Sequence, residues 1–168
     1  MDTKLKQAAE KAGENLLKAG CKVATAESCT AGLVGMSLGA AADSGEYFTS
    51  GFITYTDSAK HKLLGVSEET LATHTAVSEA VVREMVKGAV AVSGEAVSLA
   101  ISGYAGPDGG EDGTPAGTIW FAWHLPDRQV HAMVRHFTGD PETVVKESAL
   151  FSLQMLTNLL TDNSSSPH

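Results

Sequence analysis

Three short stretches of the chain hold residue types that can do chemistry. The first is Glu27-Ser28-Cys29-Thr30-Ala31-Gly32. It follows the strand-like run 21–26 and precedes a helix-compatible run through Leu38, so it reads as a strand–turn–helix junction. A hydroxyl or thiol at the mouth of a helix has backbone N–H groups and a positive helix end beside it, a setting that binds anions and stabilises oxyanions. Ser28 is one candidate nucleophile. Cys29 is another, because a helix N-terminus lowers a thiol pKa. The plain alternative is that Ser28 or Thr30 caps the helix and Cys29 packs in the core. The stretch is not a G-x-S-x-G elbow, since Ala26 and Thr30 hold the glycine positions.

The second stretch is Tyr55-Thr56-Asp57-Ser58-Ala59-Lys60. A lysine in a partly closed site can lose its proton and serve as a general base for a serine, and a tyrosine can relay or donate a proton. From spacing alone Lys60 also reads as a solvated helix lysine. The Tyr-to-Lys spacing is one longer than Y-x-x-x-K and no G-x-G-x-x-G accompanies it, which rejects a short-chain dehydrogenase. The third stretch is the glycine-rich run 102–117, SGYAGPDGGEDGTPAG. Glycines let backbone N–H groups close on a phosphate, and α/β sheets place ligands in such loops; a surface loop without function is the alternative. No Gly-Lys-Ser/Thr follows, so it is not a Walker loop, and Gly110 and Ile119 stand where a calcium loop starting at Asp108 needs oxygen ligands. The six histidines have neither HExxH nor zinc-finger spacing, and no metal is expected.

The helices and strands that carry these residues follow from periodicity. Leu5, Ala8, Ala9, Ala12 and Leu16 recur at helical spacing, with Gly20 as the stop. Residues 48–56 alternate as a strand. Asp57 is expected to cap a helix over 58–64 ended by Gly65, and 67–70 starts another turn. Ser78 is expected to cap a longer helix closed by Gly94. Residues 96–102 are nearly all apolar, the mark of a strand covered on both faces. Residues 118–125 and 129–137 read as a hairpin. Asp140-Pro141-Glu142 opens a final helix to about Leu160, and the polar tail 161–168 is expected to be disordered. Helices and strands interleave, so the expected fold is α/β: a three-layer α/β/α sandwich with a mixed central sheet, in one domain over 1–160.

The composition agrees. A length of 168 residues with 43% apolar and 19% charged residues suits one globular domain. Twelve basic against twenty acidic residues leave a net charge of −8, the wrong sign for a general nucleic-acid binder or an anionic membrane. No apolar run reaches the roughly 20 residues of a membrane span, and the charged N-terminus does not read as a signal peptide. Two cysteines give no disulfide framework, so the cytoplasm is the expected compartment.

Taken in order, residues 26–32 (AESCTAG), 55–65 (YTDSAKHKLLG), 76–78 (AVS), 102–110 (SGYAGPDGG) and 115–118 (PAGT) resemble the CinA C-terminal domain family in its stand-alone, PncC-like form. The resemblance runs from about residue 5 to 158. It implies an α/β/α fold and a cofactor-free amidohydrolase that converts nicotinamide mononucleotide to nicotinate mononucleotide and ammonia, in pyridine-nucleotide salvage. By position it makes Ser28 the nucleophile, with Tyr55 and Lys60 in the catalytic group. It places substrate binding at Glu27, Cys29, Thr30, Ala31, Gly32, Ser102, Gly103, Ala105, Gly106, Pro107, Gly109 and Gly110. It implies a small-molecule nucleotide substrate and a homo-oligomer, with a dimer favoured; the alanine-rich first helix and the last helix are the surfaces expected to pair with a second copy.

Three departures stand out. Ala31 occupies a family glycine position, where a methyl is tolerated only if φ is negative. Tyr104 replaces a small or aliphatic residue. Pro141 stands where the family favours an arginine, and Lys146, the nearest later cation, cannot make the planar bidentate contact. These departures favour two competing readings: a catalytically weak or inactive nucleotide-binding domain of the same fold, or an amidase on another small amide.

Overall fold

The computed structural model describes residues 1–165. In chain order it contains α1 (Thr3–Ala19), β1 (Val23–Glu27), α2 (Leu33–Ala40), β2 (Phe48–Ile53), α3 (Asp57–Leu64), α4 (Glu68–His74), α5 (Glu79–Ser93), β3 (Val97–Gly103), β4 (Thr118–His124), β5 (Val130–His136) and α6 (Pro141–Ser165), with a short 3-10 turn at Ser44–Glu46. The sheet order is β2-β1-β3-β4-β5. β1 runs parallel to both β2 and β3, while β4 pairs antiparallel with β3 and with β5, so the sheet is mixed as expected.

Side-chain alternation along the strands divides the core by size. Val23, Leu99, Ile101, Ile119, Phe121 and Trp123 point to the face covered by α1, α2 and α6. Ala24, Ala26, Ala100 and Ala122 point to the other face, where small residues bring α5 close. On the first face Phe121 packs edge-on to Phe151 of α6 at 4.8 Å, and the Trp123 indole N–H donates to the Ser152 carbonyl at 3.0 Å. α1 and α6 also pack against each other within the chain, joined by the Asn15 amide donating to the Thr157 carbonyl. On the second face α3 leans on α5 at Gly88. A Cβ there would lie 1.9 Å from the Leu64 carbonyl oxygen, so only glycine admits this approach.

The helix ends follow their local chemistry. Gly20, Gly65 and Gly94 all adopt the left-handed C-cap conformation. Ser78 caps α5, and Asp140 accepts from the Thr143 N–H at the start of α6. Three boundaries differ from the sequence reading. Thr56, not Asp57, is the N-cap of α3: its hydroxyl accepts from the Ala59 N–H, and Asp57 becomes the first helical residue. β2 stops at Ile53, before the expected Thr56. α6 continues to Ser165 instead of ending near Leu160; of the expected disordered tail, residues 166–168 lie outside the described residues.

Candidate active site

Strand alternation also separates Glu27 from Ser28. Glu27 ends β1 on the α2 face, and the next residue turns to the opposite side, toward α3. Ser28 stays on the sheet through its N–H, which donates to the Ile101 carbonyl at 3.0 Å. Residues 28–32 then form a turn, so α2 begins five residues after Ser28 and not directly at it.

α3 supplies the partner. Lys60 lies one turn into this helix and is 1% exposed. Its ammonium nitrogen lies 2.9 Å from Ser28 Oγ and donates to the Thr54 carbonyl at 2.8 Å and the Tyr55 carbonyl at 3.4 Å. Lys60 is therefore not the solvated helix lysine that spacing allowed. It takes part in none of the ion pairs found among the described residues. Burial lowers its pKa from the ordinary lysine value, against the smaller upward pull of Asp57 and Cys29. A buried, unpaired lysine in contact with a serine hydroxyl is the arrangement in which the amine serves as a general base.

Burial disfavours the thiolate form of Cys29. Burial pushes its thiol up to about 12, against the lowering by backbone N–H groups at Cys29 and Gly103 and by Lys60. Burial thus outweighs the depression expected of a helix N-terminus, and two first-turn amides of α2 are taken by another group. Glu27 holds them: its Oε1 accepts from the Thr30 hydroxyl at 2.6 Å and the Val34 N–H at 2.9 Å, and its Oε2 from the Gly35 N–H at 2.9 Å.

A cleft of about 560 Å³ opens over the Ser28–Lys60 pair. Of the residues expected to bind substrate, Cys29, Ser102, Gly103, Ala105, Gly106, Gly109 and Gly110 line it. Glu27, Thr30, Ala31, Gly32 and Pro107 are not among the lining residues; the first four form the turn and its anchor. Tyr55 lines the rim and is 66% exposed. Its carbonyl, not its phenol, meets the Ser28–Lys60 pair, accepting also from Ser28 Oγ at 3.4 Å. Ser102 is committed to the Ala76 carbonyl at 2.8 Å, which ties the 75–77 segment to the end of β3. The glycine-rich loop is braced by its own bonds: Gly110 N–H to Thr114 O, Gly117 N–H to Tyr104 O and Tyr104 N–H to Thr118 O.

Sequence reasoning did not select several wall residues: Asp57, Thr75, Val77, Tyr104, Asp108, Glu111 and Asp112. The motif around 76–78 was a signal for the first part of this wall, and the departure at Tyr104 for another. Among the described residues, no group of three or more His, Cys, Asp or Glu side chains is placed to hold a metal ion. Among the same described residues, no helix is long and apolar enough to cross a membrane.

Ala31 has φ +48°, inside the left-handed region. That conformation costs a non-glycine residue roughly 1–2 kcal/mol, partly offset by the smaller unfolded-state entropy of alanine. Ala31→Gly should therefore raise stability by up to about 1 kcal/mol, read from urea unfolding midpoints at unchanged slope. A loss of stability would show that the turn does not strain its alanine.

The CinA C-terminal domain family model matches residues 5–160. The chain belongs to this family. Protein YdeJ of Escherichia coli K12 is 50% identical over 139 residues, which cover 83% of this chain and 80% of that one. The nicotinamide-nucleotide amidohydrolase PncC of the same strain is 42% identical over 155 residues, covering 92% and 94%. A crystal structure of a CinA superfamily protein from Klebsiella pneumoniae 700603 superposes with TM-score 0.91 at 43% identity, covering 94% of this chain and 98% of that one. The α/β fold is thus the CinA fold, with the Ser28–Lys60 contact at the carboxyl end of its β1.

Proposed function

We propose that this CinA-family chain hydrolyses the carboxamide of nicotinamide mononucleotide, giving nicotinate mononucleotide and ammonia. The observation that carries the reading is the 2.9 Å contact between Ser28 Oγ and a buried Lys60 at the base of an open cleft. The amidohydrolase relatives, matched over nearly their whole length, support the choice of substrate.

In this mechanism neutral Lys60 takes the Ser28 proton as Oγ bonds to the amide carbon. The N–H groups of Cys29 and Thr30, which follow the nucleophile directly, donate to the oxyanion. Collapse breaks the C–N bond, and the Lys60 ammonium returns its proton to the departing nitrogen, which leaves as ammonia. Water then attacks the acyl-serine; Lys60 accepts its proton and passes it back to Oγ. Tyr55 acts through its carbonyl, which orients both partners. Glu27, Thr30, Ala31 and Gly32 support the nucleophile, and the residues at 102–106 and 109–110 form the substrate wall. The working form on this reading is a cytoplasmic homo-oligomer, with a dimer favoured; light scattering that finds monomers alone would count against it.

The test is ammonia release from nicotinamide mononucleotide by purified protein. Release that Ser28→Ala abolishes while the melting curve stays unchanged is the expected result. A folded wild-type protein that binds the nucleotide without releasing ammonia would favour the inactive binding domain instead.

A further inference from the structure

Two tyrosines line the cleft that holds the Ser28–Lys60 pair. Tyr55 is 66% exposed at the rim, where it offers aromatic surface to a ligand in the cleft. Tyr104 is held from two sides. Its ring lies against Gly110, where an added Cβ would come within 2.6 Å of Cζ, so glycine at 110 lets the ring seat on the loop backbone. Burial raises the pKa of its phenol, the nearby Asp112 charge adds to the rise, and the Thr75 hydroxyl opposes it. Thr75 is itself fixed in a conformation that β-branched residues rarely adopt, φ +65° and ψ 166°. Its N–H donates to the Leu71 carbonyl at 3.0 Å, and its carbonyl accepts from the Ser78 hydroxyl at 2.8 Å. Tyr104 is thus a braced aromatic wall.

The charges around these rings have one sign. Asp57, Asp108, Glu111 and Asp112 line the same cleft. Lys60 is the sole cationic side chain among the lining residues, and it is buried against Ser28. Aromatic faces with carboxylates around them favour a cation, because the ring quadrupole and the negative field act together.

We propose that Tyr55 and Tyr104 are specificity-determining residues that read the positive charge of the amide-bearing ring, so that the site selects pyridinium amides over neutral amides. The proposal rests on the amidohydrolase reading above and adds the property by which the ring is chosen. It also suits the chemistry. A cationic ring withdraws electrons from the carboxamide and makes its carbon more electrophilic, and a cation beside Lys60 favours the neutral amine that the first step needs.

The experiment uses Ser28→Ala protein, which holds ligand without turning it over. Nicotinamide mononucleotide and its reduced dihydropyridine form carry the same amide, sugar and phosphate, but only the first has a charged ring. Calorimetric titration should give a dissociation constant about tenfold or more lower for the charged form. Tyr104→Leu and Tyr55→Leu, each in that background, should weaken the charged ligand severalfold and bring the ratio toward one. Tyr104→Phe, which keeps the ring, should preserve it, and melting curves confirm that each variant folds. Equal constants for the two forms, or a ratio indifferent to both leucine variants, overturns the proposal while ammonia release by the wild type keeps the amidohydrolase reading. Binding of neither form, with no ammonia released, overturns both.

Discussion

Lys60→Met should lower kcat/KM for nicotinamide mononucleotide by about 10³- to 10⁴-fold, with most of the loss in kcat. A positioned general base is worth about 10²–10⁴; the same amine also lies 2.9 Å from the serine hydroxyl and, in the proposed mechanism, returns the proton to the departing nitrogen. Lys60→Arg should be as inactive as the methionine variant. It keeps the charge, but a guanidinium does not give up its proton at these pH values and cannot act as the base. A Lys60→Arg enzyme with activity within tenfold of wild type would rule out the neutral-lysine step. The measurement pairs initial rates with a thermal melt, so that unfolding is not mistaken for lost chemistry.

The pH dependence follows from the same burial. Burial holds the Lys60 pKa below the ordinary lysine value, so the fraction of neutral amine, and with it kcat/KM, rises with pH along a limb lying below the usual 10.4 or so. Asp57 pulls that pKa upward. Asp57→Asn should therefore move the limb to lower pH, and a move to higher pH would contradict the assignment. Stability obeys the matching sign. Between the lowered folded pKa and the unfolded value the unfolded chain binds more protons, so the Lys60 contribution makes stability rise with pH across that window.

The parts of the fold legible in the sequence were those fixed by local geometry. Gly20, Gly65 and Gly94 marked helix ends because the left-handed C-cap favours the residue without a Cβ. The apolar run at 96–102 announced β3 because a strand covered on both faces has nowhere to put a charge. Thr56 and Asp57 were exchanged as caps because both side chains can accept an N–H, and only the chain direction at the end of β2 chooses between them. The site was legible to a different degree. Ser28 and Lys60 could be named from motifs, but 32 positions of sequence say nothing about contact; the parallel β1–β2 pairing and the α3–α5 approach at Gly88 bring them together. Thr75 gave no warning, since a positive φ is normally announced by glycine. The carboxyl of Glu27 was legible as a polar group near the site, but its two amide partners lie seven and eight residues on and are in place only once α2 has formed.

Glu27 accordingly yields the largest expected effect on stability. Its side chain is 1% exposed and accepts three hydrogen bonds, from the Thr30 hydroxyl and from two amides in the first turn of α2. Removing it leaves those donors buried without acceptors, at about 1–3 kcal/mol for each that water does not reach, and removes the negative group from a helix N-terminus. Glu27→Ala should cost about 3 kcal/mol or more in urea unfolding, a large share of the 5–15 kcal/mol typical of a domain. Glu27→Gln should cost about half as much: the amide oxygen can still serve Thr30 and Val34, but its NH₂ must face the Gly35 N–H. Activity should follow stability and not substrate affinity. The anchor holds the turn on which Ser28 rides, so kcat falls for both variants in the order Gln before Ala, while KM stays within a few-fold. The opposite pattern, unfolding midpoints near wild type with a KM raised tenfold or more, would return Glu27 to the substrate and leave the turn without its anchor.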